Sequence, residues 1–82
     1  MILKEQAIIG LRVVSLVDFS GVQTGTEGVI DENYGTGCMV AWDLADQPLP
    51  DGYKIYDGVP AVRSGILRDG FGWDELKFLD LV

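Results

Sequence analysis

The sequence contains no histidine and only one cysteine among its 82 residues. Histidine is the side chain that most often serves as a general base or a metal ligand near neutral pH. Cys38 cannot form an intramolecular disulfide, and no histidine is present to activate its thiol as a nucleophile. The sequence also lacks a phosphate-binding loop motif and EF-hand spacing. These absences predict a protein that is not an enzyme and that needs no cofactor or metal.

Basic residues are scarce, and no two of them are adjacent. Binding to phosphates requires clustered lysine and arginine, whose contacts release counterions. The formal net charge is −7, which favours a basic partner over an acidic one. We therefore expect a protein partner that is basic, and neither nucleic acid nor a membrane surface. The six basic residues are Lys4, Arg12, Lys54, Arg63, Arg68 and Lys77.

Long hydrophobic runs are also missing, and the N-terminus does not read as a signal peptide. We therefore expect a cytoplasmic protein. The chain length fits one domain over residues 1–82. A domain of this size must commit most of its large apolar residues to the core.

What is present is a series of short segments rich in aliphatic and aromatic residues, separated by Gly, Asp and Asn. Such spacing is typical of an all-β sandwich or barrel, and five strands are too few for a sandwich. We predict a small five-stranded barrel, which also protects strand edges. The predicted strands are residues 11–17, 26–31, 38–43, 62–68 and 77–82.

The connections between these strands differ in kind. Residues 44–61 contain all three prolines and are predicted to form one long loop. Asp69-Gly70 predicts a tight turn, and acids near residue 74 predict a short helical turn at about 73–77. Residues 1–9 are either an N-terminal arm or an extra strand. We expect them to cover the second apolar face of strand 11–17.

Four fragments of the chain form a recognisable pattern: Gly10-x-x-Val13, Gly25-Thr26-x-Gly28-Val29-Ile30, Val40-x-Trp42-Asp43 and Trp73-Asp74-Glu75-Leu76-x-x-Leu79. In this pattern Gly25 is suited to a positive φ, and Gly28 to a bulge or a close backbone approach. The pattern resembles small SH3-like β-barrels, including KOW-type modules, mind-bomb-type domains and small bacterial proteins of no assigned function.

The chain departs from two branches of that resemblance. KOW-type modules that bind RNA have basic loops, whereas this chain is acidic there, so a nucleic-acid-binding barrel is the disfavoured alternative. SH3 domains that bind peptides have a Tyr-rich first-strand motif and two adjacent tryptophans. Here the first motif is Leu16-Val17-Asp18-Phe19, and a single Trp42 precedes Asp43. The sequence therefore does not predict a groove for Pro-rich peptides.

Aromatic residues in the loops are the predicted binding residues. Loops on a rigid scaffold often carry function, and tyrosine is common at interfaces. Tyr53 and Tyr56 lie in the long loop, and we expect Phe19 and Trp73 to join them in one contact surface. The alternative is that both tyrosines cover one end of the barrel. For Trp42 we favour a core position beside Cys38 and Val40 over a ligand platform.

The middle of the chain is strongly acidic. Seven of its carboxylates lie between positions 27 and 57, against Lys54 alone. They serve either as an ordinary solubilising surface or as a field that attracts a basic partner. Asp46, Asp51 and Asp57 are the predicted acidic surface residues. The best-supported function is a small interaction module or accessory subunit. A homodimer through residues 1–9 or the long loop also remains open.

Overall fold

The part of the chain that the structure describes forms seven strands and two short 3-10 helices. The computed structural model describes residues 1–19, 21–49 and 66–82 in full, and residues 55–56 and 59–60 through their backbone. The 3-10 helices are Lys4–Gln6 and Trp73–Phe78. The strands are β1 Arg12–Ser15, β2 Glu27–Asn33, β3 Gly37–Trp42, β4 Ile55–Tyr56, β5 Val59–Pro60, β6 Arg68–Gly72 and β7 Leu79–Leu81.

Five of the strands form one antiparallel sheet in the order β6-β3-β2-β1-β7. The sheet curls into a half-barrel, and the 3-10 helix Trp73–Phe78 connects its two edge strands. The predicted all-β fold with five strands and a helical turn near 73–77 is therefore confirmed. Strands β4 and β5 pair with each other as a separate two-stranded ribbon within the segment predicted as a long loop.

The concave side of the half-barrel holds the core. Trp42 is fully buried there with Cys38 and Val40, as the alternation along β3 predicts. The rings of Phe19, Trp42 and Phe71 meet edge to face, with centroids 5.7 to 6.2 Å apart. Such pairs add stability beyond the area that they bury. The core is therefore organised around three aromatic rings from the β1–β2 loop, β3 and β6.

Two glycines play the roles that the sequence predicts for them. Gly25 has a φ of 91°, a conformation that other residues rarely adopt. Gly28 pairs with Trp42 in the register of β2 and β3. A Cβ atom at Gly28 would lie 2.7 Å from the Ala41 carbonyl oxygen and 2.8 Å from the Trp42 ring. The close approach is confirmed, whereas the β-bulge of β2 lies further along, between Ile30 and Glu32.

The N-terminal residues form a docked arm. Ile2 and Ala7 are buried in the core, and the Ile2 amide donates to the Leu79 carbonyl oxygen at 3.1 Å. The Asn33 side-chain amide donates to the Ala7 carbonyl oxygen. The arm thus packs on the core side of the sheet. The expectation that it covers the second face of β1 is wrong, because Leu16 on that face remains 42% exposed.

Only the end of the predicted strand 62–68 can be compared with the structure, because residues 62–65 lie outside the described residues. Residues 66–67 are not in a strand, and β6 begins at Arg68. Asp69 and Gly70, predicted as a tight turn, lie inside β6 and pair with Val40 and Met39. A glycine suits position 70 inside β6, because a Cβ atom there would lie 3.2 Å from the Met39 sulfur. Tertiary pairing therefore overrides the turn preference of Asp-Gly.

Asp31 also differs from expectation, because it is fully buried rather than part of an acidic surface. It occupies the bulge of β2, and Arg68 of β6 forms a bidentate ion pair with it. The same guanidinium contacts Glu32 at 3.1 Å. A carboxylate is tolerated inside a domain when it is paired and hydrogen-bonded in this way.

Candidate functional site

The β1–β2 loop presents the residues around which the candidate site is built. Phe19 and Val22 exchange both of their backbone hydrogen bonds at 2.8 Å, and Gly21 before Val22 has a φ of 79°. Val22 is buried, and Phe19 is half-buried against the aromatic core. The loop is therefore fastened to the core by its apolar residues, while Asp18 beside them remains exposed.

A cleft of about 800 Å³ lies between this loop and the segment that follows β3. Four carboxylates line it, those of Asp18, Glu27, Asp43 and Asp46, and we call it the acidic cleft. None of the described residues that line it is a lysine or an arginine. Its remaining lining residues are Phe19, Gly21, Val22, Gln23, Gly25, Thr26, Leu44 and Ala45.

Backbone and side-chain contacts hold three of the four carboxylates in place. Asp18 Oδ1 accepts a hydrogen bond from the Thr24 amide at 2.6 Å, and Asp43 Oδ1 accepts one from the Leu49 amide at 2.9 Å. Glu27 forms an exposed ion pair with Arg12 at 3.0 Å. The amide and hydroxyl of Thr24 lower the pKa of Asp18 below its usual value. The Asp18 carboxylate is therefore negative throughout the neutral and mildly acidic range.

A second depression is also lined by residues of the β1–β2 loop. We call it the aromatic groove; it measures about 430 Å³. Phe71 of β6 is buried in its wall, and Phe78, at the end of the 3-10 helix, is half-buried. Asp18 and Phe19 belong to both the acidic cleft and the aromatic groove. The groove is lined by Val17, Asp18, Phe19, Gly70, Phe71, Glu75 and Phe78.

The structure brings together only part of the predicted contact surface. Phe19 lines both depressions, and Asp46 lines the acidic cleft at an exposed position. Trp73 lies elsewhere: its indole NH donates to the Gly35 carbonyl oxygen, and the Lys4 ammonium lies 5.8 Å from its ring centroid. Tyr56 is described only through its backbone in β4. Tyr53, Asp51 and Asp57 lie outside the described residues.

Several residues of the two depressions were not predicted from the sequence. Glu75 and Phe78 are three positions apart, so they lie on the same side of a 3-10 helix. The spacing of Glu75 and Phe78 was visible in the sequence, but the sequence did not show that they share a groove with Val17. In the sequence Asp18 lies in a predicted loop and Asp43 ends the predicted strand 38–43, and only the fold brings both to the walls of one cleft.

The described residues show neither a cluster of metal ligands nor a membrane-crossing helix. No group of three or more Cys, Asp or Glu side chains among them is arranged to hold a metal ion. In the same part of the chain, every helix is too short or too polar to traverse a bilayer. Cys38 is buried, and burial together with the nearby Asp31 carboxylate raises its pKa to about 11.

The strand pairing establishes a half-barrel but no family, so the resemblance to SH3-like barrels stays a prediction. Comparison with models of protein families, with curated proteins and with solved structures finds no match to this chain.

Proposed function

We propose that this domain is a small, non-enzymatic interaction module that binds a basic segment of another protein in the acidic cleft. The observation that carries the proposal is the set of four carboxylates, Asp18, Glu27, Asp43 and Asp46, on the walls of one cleft. Opposite charge across an interface speeds encounter and selects the partner. The net charge of −7 extends the same field beyond the cleft.

A protein partner fits the cleft better than a nucleic acid does. Phosphates bind to clustered cations, whereas every charged side chain in the described lining of the cleft is negative. Arginine and lysine of a protein segment can instead form charge-assisted hydrogen bonds with carboxylates. Nucleic-acid binding of the KOW type therefore remains the disfavoured alternative within this proposal.

The chemistry of the described residues supports a binding role over catalysis. The chain contains no histidine to act as a general base. The Cys38 thiol is buried with a pKa of about 11, so it is neither accessible nor ionised near neutral pH. We place the module in the cytoplasm as part of the proposal, because a reducing compartment suits a chain with a single, unpaired thiol.

The test uses a charge-only peptide, the capped sequence Gly-Arg-Gly-Arg-Gly-Arg-Gly, titrated into the isotopically labelled domain and followed by NMR. We expect the amide signals of Asp18, Glu27, Asp43 and Asp46 to shift. The affinity should fall as salt rises from about 0.01 M to about 1 M, because the Debye length shrinks from roughly 30 Å to about 3 Å.

A matched pair of double variants separates the cleft from the overall charge. Asp43→Asn with Asp46→Asn removes two cleft charges, whereas Glu5→Gln with Asp74→Asn removes two exposed charges outside it. The first pair should weaken peptide binding several-fold, and the second should change it little. The proposal would be contradicted if both pairs of substitutions weakened binding equally or if the peptide did not bind. It would also be contradicted if a single-stranded RNA of similar length bound more tightly than the peptide.

A further inference from the structure

The aromatic groove offers an open apolar surface beside the acidic cleft. Val17, Phe19 and Phe78 are only half-buried in the groove, although their side chains are apolar. A depression of about 430 Å³ is large enough for one large apolar side chain. Removing such a side chain from water is favourable in proportion to the area buried.

The walls of the groove are already in place before any ligand arrives. Phe19 packs edge to face on Phe71, with ring centroids 6.0 Å apart, and on Trp42 at 5.7 Å. The backbone exchange between Phe19 and Val22 holds the loop that carries the ring. A preformed apolar site loses little free energy to ordering when it binds.

Charge decides which kind of apolar segment suits the groove. Asp18 and Glu75 lie at its rim, and the described lining contains no cation. Glu75 accepts a hydrogen bond from the Gly72 amide at 2.9 Å, which holds its carboxylate beside the groove. Nearby, the Lys77 ammonium lies 5.4 Å from the Phe78 ring centroid. An apolar side chain flanked by basic residues therefore complements both the wall and the rim.

We propose that the aromatic groove docks a large apolar side chain of an extended protein segment, next to the arginine or lysine that occupies the acidic cleft. This inference rests on the proposed function, because it concerns the same bound segment. Asp18 and Phe19 line both depressions, so a segment that crosses them reaches the cleft and the groove together. The recognition element is thus one large apolar residue with basic neighbours.

A second copy of this chain is a poorer occupant than a foreign partner. Each copy carries a net charge of −7, so two copies repel each other, most strongly at low salt. Sedimentation of the domain tests this directly. A stable dimer in which the Val17 methyl groups are shielded from solvent would overturn the assignment of the groove to a partner.

The test compares three capped peptides of equal length. The charge-only peptide is the reference, Gly-Arg-Leu-Arg-Gly-Arg-Gly adds one leucine, and Gly-Ser-Leu-Ser-Gly-Ser-Gly keeps the leucine without the charges. We expect the Arg-Leu-Arg peptide to bind about tenfold more tightly than the charge-only peptide, the lower end of what burying a leucine contributes. The Val17 methyl signals should shift with the Arg-Leu-Arg peptide and not with the charge-only one.

A conservative variant keeps the test independent of large core changes. Val17→Thr makes the groove wall polar without changing its shape, and Val14→Thr is the matched control on β1 outside the groove. Val17→Thr should remove most of the tenfold gain from leucine and leave binding of the charge-only peptide unchanged. Val14→Thr should preserve the gain.

The outcomes distinguish this inference from the proposed function. If the Arg-Leu-Arg and charge-only peptides bound with equal affinity and the Val17 methyl signals did not shift, the docking role of the aromatic groove would be overturned. The acidic cleft would remain as a binding site. If the Ser-Leu-Ser peptide bound as tightly as the Arg-Leu-Arg peptide, the charged rim would have no part in selection and the stated occupant would be wrong. If none of the three peptides bound, both proposals would fall.

Discussion

Arg68 donates two hydrogen bonds to the buried carboxylate of Asp31, from Nε to Oδ2 at 2.7 Å and from Nη2 to Oδ1 at 2.9 Å. The pair joins the bulge of β2 to the start of β6, two strands that β3 separates in the sheet. The interaction therefore fastens β6, whose Phe71 forms a wall of the aromatic groove, to the centre of the sheet.

Replacing Arg68 by methionine should destabilise the domain strongly. The substitution removes the guanidinium that compensates a carboxylate with no solvent exposure, and loss of one partner of a buried pair costs about 3–5 kcal/mol. Chemical denaturation monitored by tryptophan fluorescence measures the change. Arg12→Met is the matched control, because its pair with Glu27 is exposed and should contribute little. A similar loss in both variants would show that the buried pair has no special role.

Gly28→Ala should lower the free energy of unfolding by about 1–3 kcal/mol, the usual cost of forcing extra atoms into a packed core. The new Cβ atom would meet the Ala41 carbonyl oxygen at 2.7 Å, a backbone atom that cannot move aside easily. Gly72→Ala provides the comparison, since its Cβ atom would meet the Asp74 carboxylate at 2.9 Å, at the end of a flexible side chain. Thermal unfolding of the two variants should show a clearly larger loss at Gly28.

The Cys38 thiol should make the domain less stable as the solution becomes strongly alkaline. Its pKa is raised from 9.0 to about 11 in the folded state, by burial first and by the Asp31 carboxylate second. The folded state therefore keeps its proton where the unfolded state has lost it, and stability falls between about pH 9 and about pH 11. Denaturation across this range should show a smaller decline in Cys38→Ala. An identical decline in both proteins would contradict the raised pKa.

The carboxyl group of Asp18 should titrate below 3.8, its ordinary pKa, because the Thr24 amide and then the Thr24 hydroxyl stabilise the charged form. A lowered folded-state pKa contributes stability above the unfolded value, and that contribution is lost as the pH falls through the folded value. Carbon-detected NMR titration measures the group directly. Thr24→Ala removes the hydroxyl and keeps the backbone amide, so the pKa should return part of the way towards 3.8. No change would show that the amide alone is responsible.

Local sequence patterns predicted most of the sheet. Aliphatic runs bounded by Gly, Asp and Asn identified β1, β2 and β3 to within a few residues, because β-branched and aliphatic residues favour strands. The acids after Trp73 likewise located the second 3-10 helix. The prediction failed at β6, where Asp69 and Gly70 have strong turn preferences. There, pairing with β3 and the bond from the Trp42 indole NH to the Asp69 carboxylate outweigh local preference.

The candidate site was predictable only in part. Phe19 and Asp46 were identified from their loop positions, and both line the acidic cleft. Trp73, predicted for the same surface, lies instead beside Gly35 and Lys4. Aromatic residues in loops look alike in a sequence, whether they face a ligand or cover a strand edge. Their grouping depends on distances between segments that the sequence does not contain.

By itself, the sequence determined the all-β class, the positions of Gly25 and Gly28, and the burial of Trp42, because these follow from local backbone geometry and from the alternation of side chains. Only the tertiary structure decided that Asp18 and Asp43 line one cleft, that Val17, Glu75 and Phe78 line one groove, and that Asp31 is buried against Arg68. The physical reason is that charge and apolar area act on a ligand through spatial proximity, which the curling of the sheet creates between residues distant in the chain.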